Sequence, residues 1–284
     1  MIPGSFEYHR PSDIKTAVDV LQEHGDEARV LAGGHSIIPM MKLRMAAVEH
    51  LVDLQDVAEL KGISVDGDTV TIGAMTTQHE LIESAALAEA APIISEAALQ
   101  IADPQVRYMG TVGGNVANGD PGNDMPGLMQ CLDATYTLTG PDGTREVDAR
   151  DFYEAAYMTD REDEEILTSI SFSATSGGYA YEKQKRKIGD YATAAAAVLL
   201  TRDGDKVASA SIAMTNLSDT PVFSQSAADA LVGTACDADA IKAAVAAALD
   251  DIDPTEDNRG PVEFKRHVAG IIIERAIARA WSRA

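Results

Sequence analysis

Between Asp103 and Pro126 the chain carries five glycines and three prolines, and no other stretch restricts the possible folds as strongly. Loops longer than about 12 to 15 residues inside a compact domain are usually functional or disordered, and apolar residues at both ends of this one argue that it is anchored. Within it lies Thr111-Val112-Gly113-Gly114-Asn115, and a second paired-glycine turn, Ala32-Gly33-Gly34-His35-Ser36, follows the first expected strand. Paired glycines tolerate positive φ and leave no β-carbon in the way, so each bend can present a row of main-chain N–H groups, with Ser36 or Thr111 adding a hydroxyl. Two such bends can clasp a diphosphate between them. A Gly-Gly pair alone equally fits a plain tight turn. Neither GxGxxG nor GxxxxGKS/T occurs, so a standard dinucleotide fold or an NTPase lacks its usual support.

Charge narrows the choice further. With 45 acidic against 23 basic residues the formal charge is −22, which argues against nucleic acid or an anionic membrane as ligand; salt adaptation is the bland explanation. Such a chain repels an anionic cofactor at long range, so local donors must hold any diphosphate. Only Cys131 and Cys236 occur, without CxxC spacing, which argues against a disulfide framework, a zinc site or an iron–sulfur cluster held by this chain alone. Any cluster would belong to a partner. No apolar run approaches the roughly 18 residues of a membrane span, and the N-terminus lacks the pattern of a secretory signal. A soluble, cytoplasmic protein is expected, with export on a partner's signal as the alternative.

The pattern predicts an α+β protein in three parts. Residues 1–55 read as a helix capped by Ser12, with Ile14, Ala17, Val18 and Leu21 on its apolar face and Gly25 at its end, then strands at Arg29–Leu31 and Leu51–Leu54. Residues 56–176 begin with a hairpin turning at Asp66-Gly67-Asp68 and a capping box of Thr77 and Glu80, followed by a helical stretch over Ala86–Ile101. After the turn-rich loop, Asp124 is placed to cap a helix from Met125 to Leu132, and strands at Ala134–Leu138 and Ile166–Phe172 are joined through the Gly140–Gly143 turn and an acidic connection. Residues 177–284 read as an antiparallel meander with strands at Tyr179–Lys185, Ala195–Thr201 and Val207–Met214, then helices at about 238–250 and 261–282. The last helix carries Phe264, Val268, Ile271 and Ile272 at helical spacing.

Three runs go beyond pattern. Ile101 to Asn115, Asn118 to Pro126 and Tyr179 to Ala192, together with Ala32 to Lys42, resemble the flavoprotein medium subunit of the aerobic carbon monoxide dehydrogenases, within the wider xanthine dehydrogenase family of molybdenum hydroxylases. The resemblance covers almost the whole chain. It implies a two-subdomain FAD-binding region of the vanillyl-alcohol oxidase type, followed by a separate C-terminal domain. It further implies noncovalent FAD held at its diphosphate by Ala32, Gly33, Gly34, His35 and Ser36 and by Thr111, Val112, Gly113, Gly114 and Asn115, with Leu31 a further cofactor contact. Ile101, Asp124, Leu167 and Lys183 match further cofactor contacts, and Tyr191 matches an aromatic that shields one face of the isoalloxazine ring. Val112 stands where the family commonly has isoleucine, a change too small to disturb backbone donors.

By the same resemblance no catalytic acid or base and no metal is expected on this chain. Molybdopterin and 2Fe-2S clusters would sit on a large and a small partner subunit in a dimer of heterotrimers, and the flavin would relay electrons to an acceptor such as quinone, the complex lying in the cytoplasm or peripherally on the inner face of the membrane. On the residues alone, His35 is either a hydrogen-bonding turn residue or a covalent flavin attachment point, Tyr191 is either a shield or a core aromatic, and the basic run Lys183, Lys185, Arg186, Lys187 is either a solvated face or a surface for phosphates or a partner. The rival functions are a medium subunit acting on aldehydes, purines or other N-heterocycles, a self-contained FAD reductase like the UDP-N-acetylenolpyruvoylglucosamine reductases, and a flavin-free structural subunit. The reductase would need acid-base groups in residues 177–284, where His267 is the one histidine.

Overall fold

The computed structural model describes residues 2–284; Met1, the first residue of the expected first part, lies outside them. β1 (Glu7–His9), α1 (Ile14–His24), β2 (Ala28–Leu31), α2 (Ile37–Lys42) and β3 (His50–Asp53) build a parallel sheet in the order β1-β3-β2. Asp13, rather than the expected Ser12, caps α1, its carboxylate accepting from the Thr16 N–H at 2.7 Å. Ala17, Val18 and Leu21 are buried from that helix, and Gly25 ends it with φ 50. β1 had no sequence signature because it is three residues long and mostly exposed.

The middle of the chain contains β4 (Ile63–Asp66), β5 (Thr69–Gly73), α3 (Gln78–Glu83), α4 (Ala85–Ala90), α5 (Pro92–Ala98), α6 (Pro104–Arg107), α7 (Val112–Ala117), α8 (Asp124–Cys131), β6 (Thr135–Gly140), β7 (Gly143–Asp148), β8 (Tyr153–Ala155), β9 (Met158–Thr159) and β10 (Ile166–Ser173). Five of these strands form an antiparallel sheet, β4-β5-β10-β6-β7. The hairpin and the Thr77–Glu80 capping box lie where the sequence put them. The helical stretch expected over Ala86–Ile101 runs as two helices, broken at Ala91 with φ −154, because Pro92 donates no hydrogen bond and bars the residue before it from helical backbone. Residues 103–126 are not a loop: Asp103 and Thr111 cap α6 and α7, and α8 begins before the segment ends. The Gly140–Gly143 turn leads into β7, a strand the polar sequence concealed, instead of on to β10.

From β11 (Gly178–Gln184) the chain runs through β12 (Ala194–Asp203), β13 (Lys206–Thr215) and β14 (Val222–Phe223), an antiparallel sheet in that order, to α9 (Gln225–Leu231), α10 (Ala238–Asp250) and α11 (Val262–Arg283). The meander matches expectation; α9 does not appear in it. On α11 Val268 and Ile272 are buried as expected, whereas Phe264 and Ile271 are exposed and the inward stripe is completed by Ala269, Ile273, Ala276 and Ile277. Alanines let that face approach the sheet closely enough that a β-carbon on Gly178 would meet the Ala280 carbonyl. β12 is buried on both sides: Ala194, Ala196, Val198 and Leu200 pack with α10 and α11, while Ala195 and Ala197 join the core formed by α5, α8 and the five-stranded sheet.

Candidate functional site

The two paired-glycine bends meet. A β-carbon on Gly33 would come within 2.8 Å of the Gly110 Cα, and one on Gly114 within 3.3 Å of the Ala32 Cβ. Glycine at 33 is therefore required by a backbone-on-backbone contact, and at Gly34 by a φ of 76 that swings the chain from β2 into α2.

Their donors differ. In the first bend the N–H groups of Gly33, Gly34, His35 and Ser36 donate to no acceptor among the described residues. In the second, Val112 donates to the Thr76 carbonyl at 2.9 Å, Gly113 to the Ala74 carbonyl at 2.9 Å, Asn115 to the Thr111 carbonyl at 3.1 Å and Gly114 to the Thr111 hydroxyl at 3.1 Å. The expectation that both bends offer a free row of main-chain donors is thus corrected. The second bend is the first turn of α7, and the Thr111 hydroxyl caps that helix. What it brings is a wall without β-carbons, docked on β5 so tightly that a β-carbon on Gly113 would lie 2.5 Å from that of Ala74.

These walls bound a cleft of about 470 Å³. Ala32, Gly33, Gly34, His35 and Ser36 line one side, and Thr111, Gly113, Gly114 and Asn115 another, with Ile101, Asp124, Leu167, Lys183 and Tyr191 completing the expected set. Leu31 and Val112 do not line it: Leu31 packs with Met41 and Leu51 behind the first bend, and Val112 is wholly buried in the central core. His35 is exposed at the rim.

Asp124 is not a cap. Asn123 occupies that position in backbone terms, and the Asn115 Oδ1 accepts the Met125 N–H at 3.2 Å, while the Asn123 amide donates to the Asn115 carbonyl at 2.8 Å. Asp124 is left free to bridge to the third matching run. Its carboxylate accepts from the Lys183 ammonium at 2.7 Å and the Tyr181 hydroxyl at 2.5 Å, the Lys183 side chain being 1% exposed. Burial pushes the Asp124 carboxyl above its ordinary range, against the downward pull of that ammonium and hydroxyl. Of the basic run, then, Lys183 points inward; Arg186 pairs with Asp190 at 3.0 Å, and burial lowers Lys185. Gly189, φ 79, rests against the Ala102 backbone, which brings Tyr191 to the cleft with its ring edge beside Gly122. Tyr191 is 44% exposed, so it is not a core aromatic.

Sequence reasoning missed Gln78, Asn118 and Asn123, which also line the cleft. Gln78 is the most telling. It is 2% exposed, yet neither its amide nitrogen nor its amide oxygen has a hydrogen-bond partner in the protein. An orphaned buried amide costs about 1 to 3 kcal/mol, so a polar ligand atom is its natural complement. Nothing in its neighbours betrays this, because Gln78 directly follows Thr77 and reads as an ordinary first-turn residue. Uncharged donors at one bend, a β-carbon-free wall opposite, an unmet amide between and an aromatic at the mouth fit a flavin dinucleotide.

Comparison with known proteins agrees. Residues 4–175 match the FAD binding domain in molybdopterin dehydrogenase, and residues 179–280 the CO dehydrogenase flavoprotein C-terminal domain, which is not the substrate domain a self-contained reductase needs. The chain is 58% identical over 286 residues to the carbon monoxide dehydrogenase medium chain of Afipia carboxidovorans, covering 100% of this chain and 99% of that one. Against the medium chain from Hydrogenophaga pseudoflava it is 45% identical, again over 100% and 99%. The structure of reconstituted CO dehydrogenase from Oligotropha carboxidovorans contains a chain that superposes with a TM-score of 0.98 at 58% identity, each covered completely. The chain belongs to the family of FAD-binding subunits of molybdopterin dehydrogenases, in the branch that carries the CO dehydrogenase flavoprotein C-terminal domain.

Proposed function

We propose that this chain is the FAD-carrying subunit of an aerobic, molybdenum-type carbon monoxide dehydrogenase, relaying electrons from 2Fe-2S clusters on a small partner to an acceptor such as quinone. The observation that carries the flavin assignment is the row of four uncommitted main-chain N–H groups at Gly33 to Ser36, set against the glycine wall of α7. The carbon monoxide assignment rests on 58% identity along the full length of a named medium chain. Bound FAD supplies a centre able to take up and release electrons. The chain's own residues hold and screen it. The first bend grips the diphosphate, the Asp124–Lys183 pair joins Leu167 and Ile101 in lining the cleft, and Tyr191 covers one face of the ring system and limits access of water.

The remaining machinery is assigned to partners. Cys131 and Cys236 are buried and free, and burial pushes the Cys131 thiol up to about 12, so neither suits a cluster ligand at neutral pH. A large molybdopterin-binding subunit and a small 2Fe-2S subunit, in a dimer of heterotrimers, complete the proposal. No helix among the described residues is long and apolar enough to cross a membrane, which is compatible with a cytoplasmic complex resting on the inner membrane face. Residues 1–55, 56–176 and 177–284 are proposed as the three units. Buried clusters centred on Val52, Ile170 and Ile273 support that division, although the first also takes in Val57, Leu60, Met75 and Ile166 and the second Tyr181, Ala192, Ala195, Ala197 and Ala213.

The purified chain should show a flavin spectrum, and denaturation should release free FAD, since His35 would then carry no covalent link. A colourless protein that takes up no FAD sinks the flavin assignment. The complex should reduce a dye with CO; turnover with aldehydes or purines and none with CO would make the chain the medium subunit of a different hydroxylase.

A further inference from the structure

Three of the six histidines converge away from the cleft. His9 ends β1, His24 lies in the last turn of α1, and His50 opens β3. β1 and β3 run parallel with Glu7 opposite His50 and His9 opposite Val52. Side chains alternate along a strand, so Glu7, His9 and His50 share the sheet face on which α1 packs, where that helix ends in His24. One ring nitrogen from each histidine lies within 4.8 Å of the other two. The His9 Nε2 and His50 Nδ1 are 3.0 Å apart, the His24 ring stacks on His50 at 3.6 Å, and the Glu7 carboxylate is 3.8 Å from the His50 Nδ1.

Hydrogen bonding alone leaves this arrangement unexplained. A single bond between His9 and His50 uses one nitrogen of each ring, and the His24 ring has no hydrogen-bond partner among the described residues. Neither lysine nor arginine forms an ion pair with the cluster, and its charged neighbour is Glu7. Imidazoles are the usual ligands of zinc-like ions, and two nitrogens on one tetrahedral zinc at about 2.0 to 2.1 Å lie roughly 3.3 Å from each other. The His9–His50 spacing is near that value already. The His24 donor nitrogen lies within 4.8 Å of both.

We propose that His9, His24 and His50 form a binding site for one divalent transition-metal ion of the zinc class, with Glu7 or water in the fourth position. None of the three histidines lines the cleft, and Glu7 and His50 border a separate open hollow. The bound ion ties β1, otherwise held by a three-residue ladder to β3, to the end of α1.

The test uses the full-length, FAD-loaded chain stripped with a chelator and titrated with zinc chloride. One saturable site is expected, with a rise in Tm and no loss of FAD. His9→Gln and His50→Gln should each weaken binding by more than about tenfold. Should either variant misfold, cobalt(II) on the unaltered chain reads the same site. Its visible bands should have the intensity of four- or five-coordinate nitrogen ligation, without a thiolate charge-transfer band, both cysteines being buried. Absence of saturable zinc binding, an unchanged affinity in both variants, displacement of FAD by zinc, or a cobalt spectrum of the hydrated ion would each overturn the proposal.

Discussion

At the scale of single residues, the cleft is defined by groups that the fold leaves in need of a partner. Gln78→Leu removes a buried amide that has no protein partner, so the ligand-free protein should gain up to about 1 to 3 kcal/mol of stability while FAD binding weakens about fivefold, the worth of one neutral hydrogen bond of roughly 1 kcal/mol. Flavin fluorescence titration beside urea denaturation separates the two effects, and equal losses in both would refute the role. The Asp124–Lys183 pair behaves oppositely. Lys183→Met strands a carboxylate that is 4% exposed, and the expected cost is about 3 kcal/mol or more, most of it recovered when Asp124→Asn is added. A double variant no more stable than Lys183→Met alone would show that the pair is not a closed unit.

Among the elements, the link between β7 and the chain entering β10 gives the second subdomain an acid-sensitive joint. Arg145 grips Glu165 at 2.6 Å and Asp160 at 2.5 Å, and the Arg145 hydrogen bonds hold the Glu165 carboxyl below its ordinary value of 4.5 despite partial burial. A carboxyl depressed in the folded state contributes its full stability above its unfolded pKa and loses it as the pH falls through the folded one. Arg145→Met should therefore cost about 1 kcal/mol at neutral pH, discounted for an arginine side chain that is 39% exposed. It should also flatten the loss of stability that the parent is expected to show below about pH 4.5, as denaturation at stepped pH would measure. Much at this scale was legible beforehand, because the Thr77–Glu80 box, the hairpin at Gly67 and the alternating meander are each set by neighbours in sequence. Asp124 was legible as a site residue but not in its role, since the Asn115 side chain that takes over capping comes from another helix. β7 escaped because Val147 is the one apolar side chain of that edge strand, which leaves no alternation to read.

Taken whole, the molecule sets an acidic body against an anionic ligand. The glycine bends could be found in the sequence, and so could the need for local donors; which bend still had donors to give could not, because Thr76 and Ala74, which accept the Val112 and Gly113 N–H groups of α7, are placed by tertiary packing. Amide groups carry no net charge, and this has a kinetic corollary. A pocket that draws phosphate with lysine and arginine loses ligand as electrolyte is added. Here added electrolyte screens the repulsion from a formal charge of −22 while leaving short main-chain contacts untouched. Stopped-flow uptake of FAD by the stripped chain should hence quicken several-fold from about 50 to 500 mM sodium chloride, with escape little altered. The cofactor would be captured best in brine, a behaviour inverted from that of most phosphate-binding proteins and traceable to four amides at the end of one short strand.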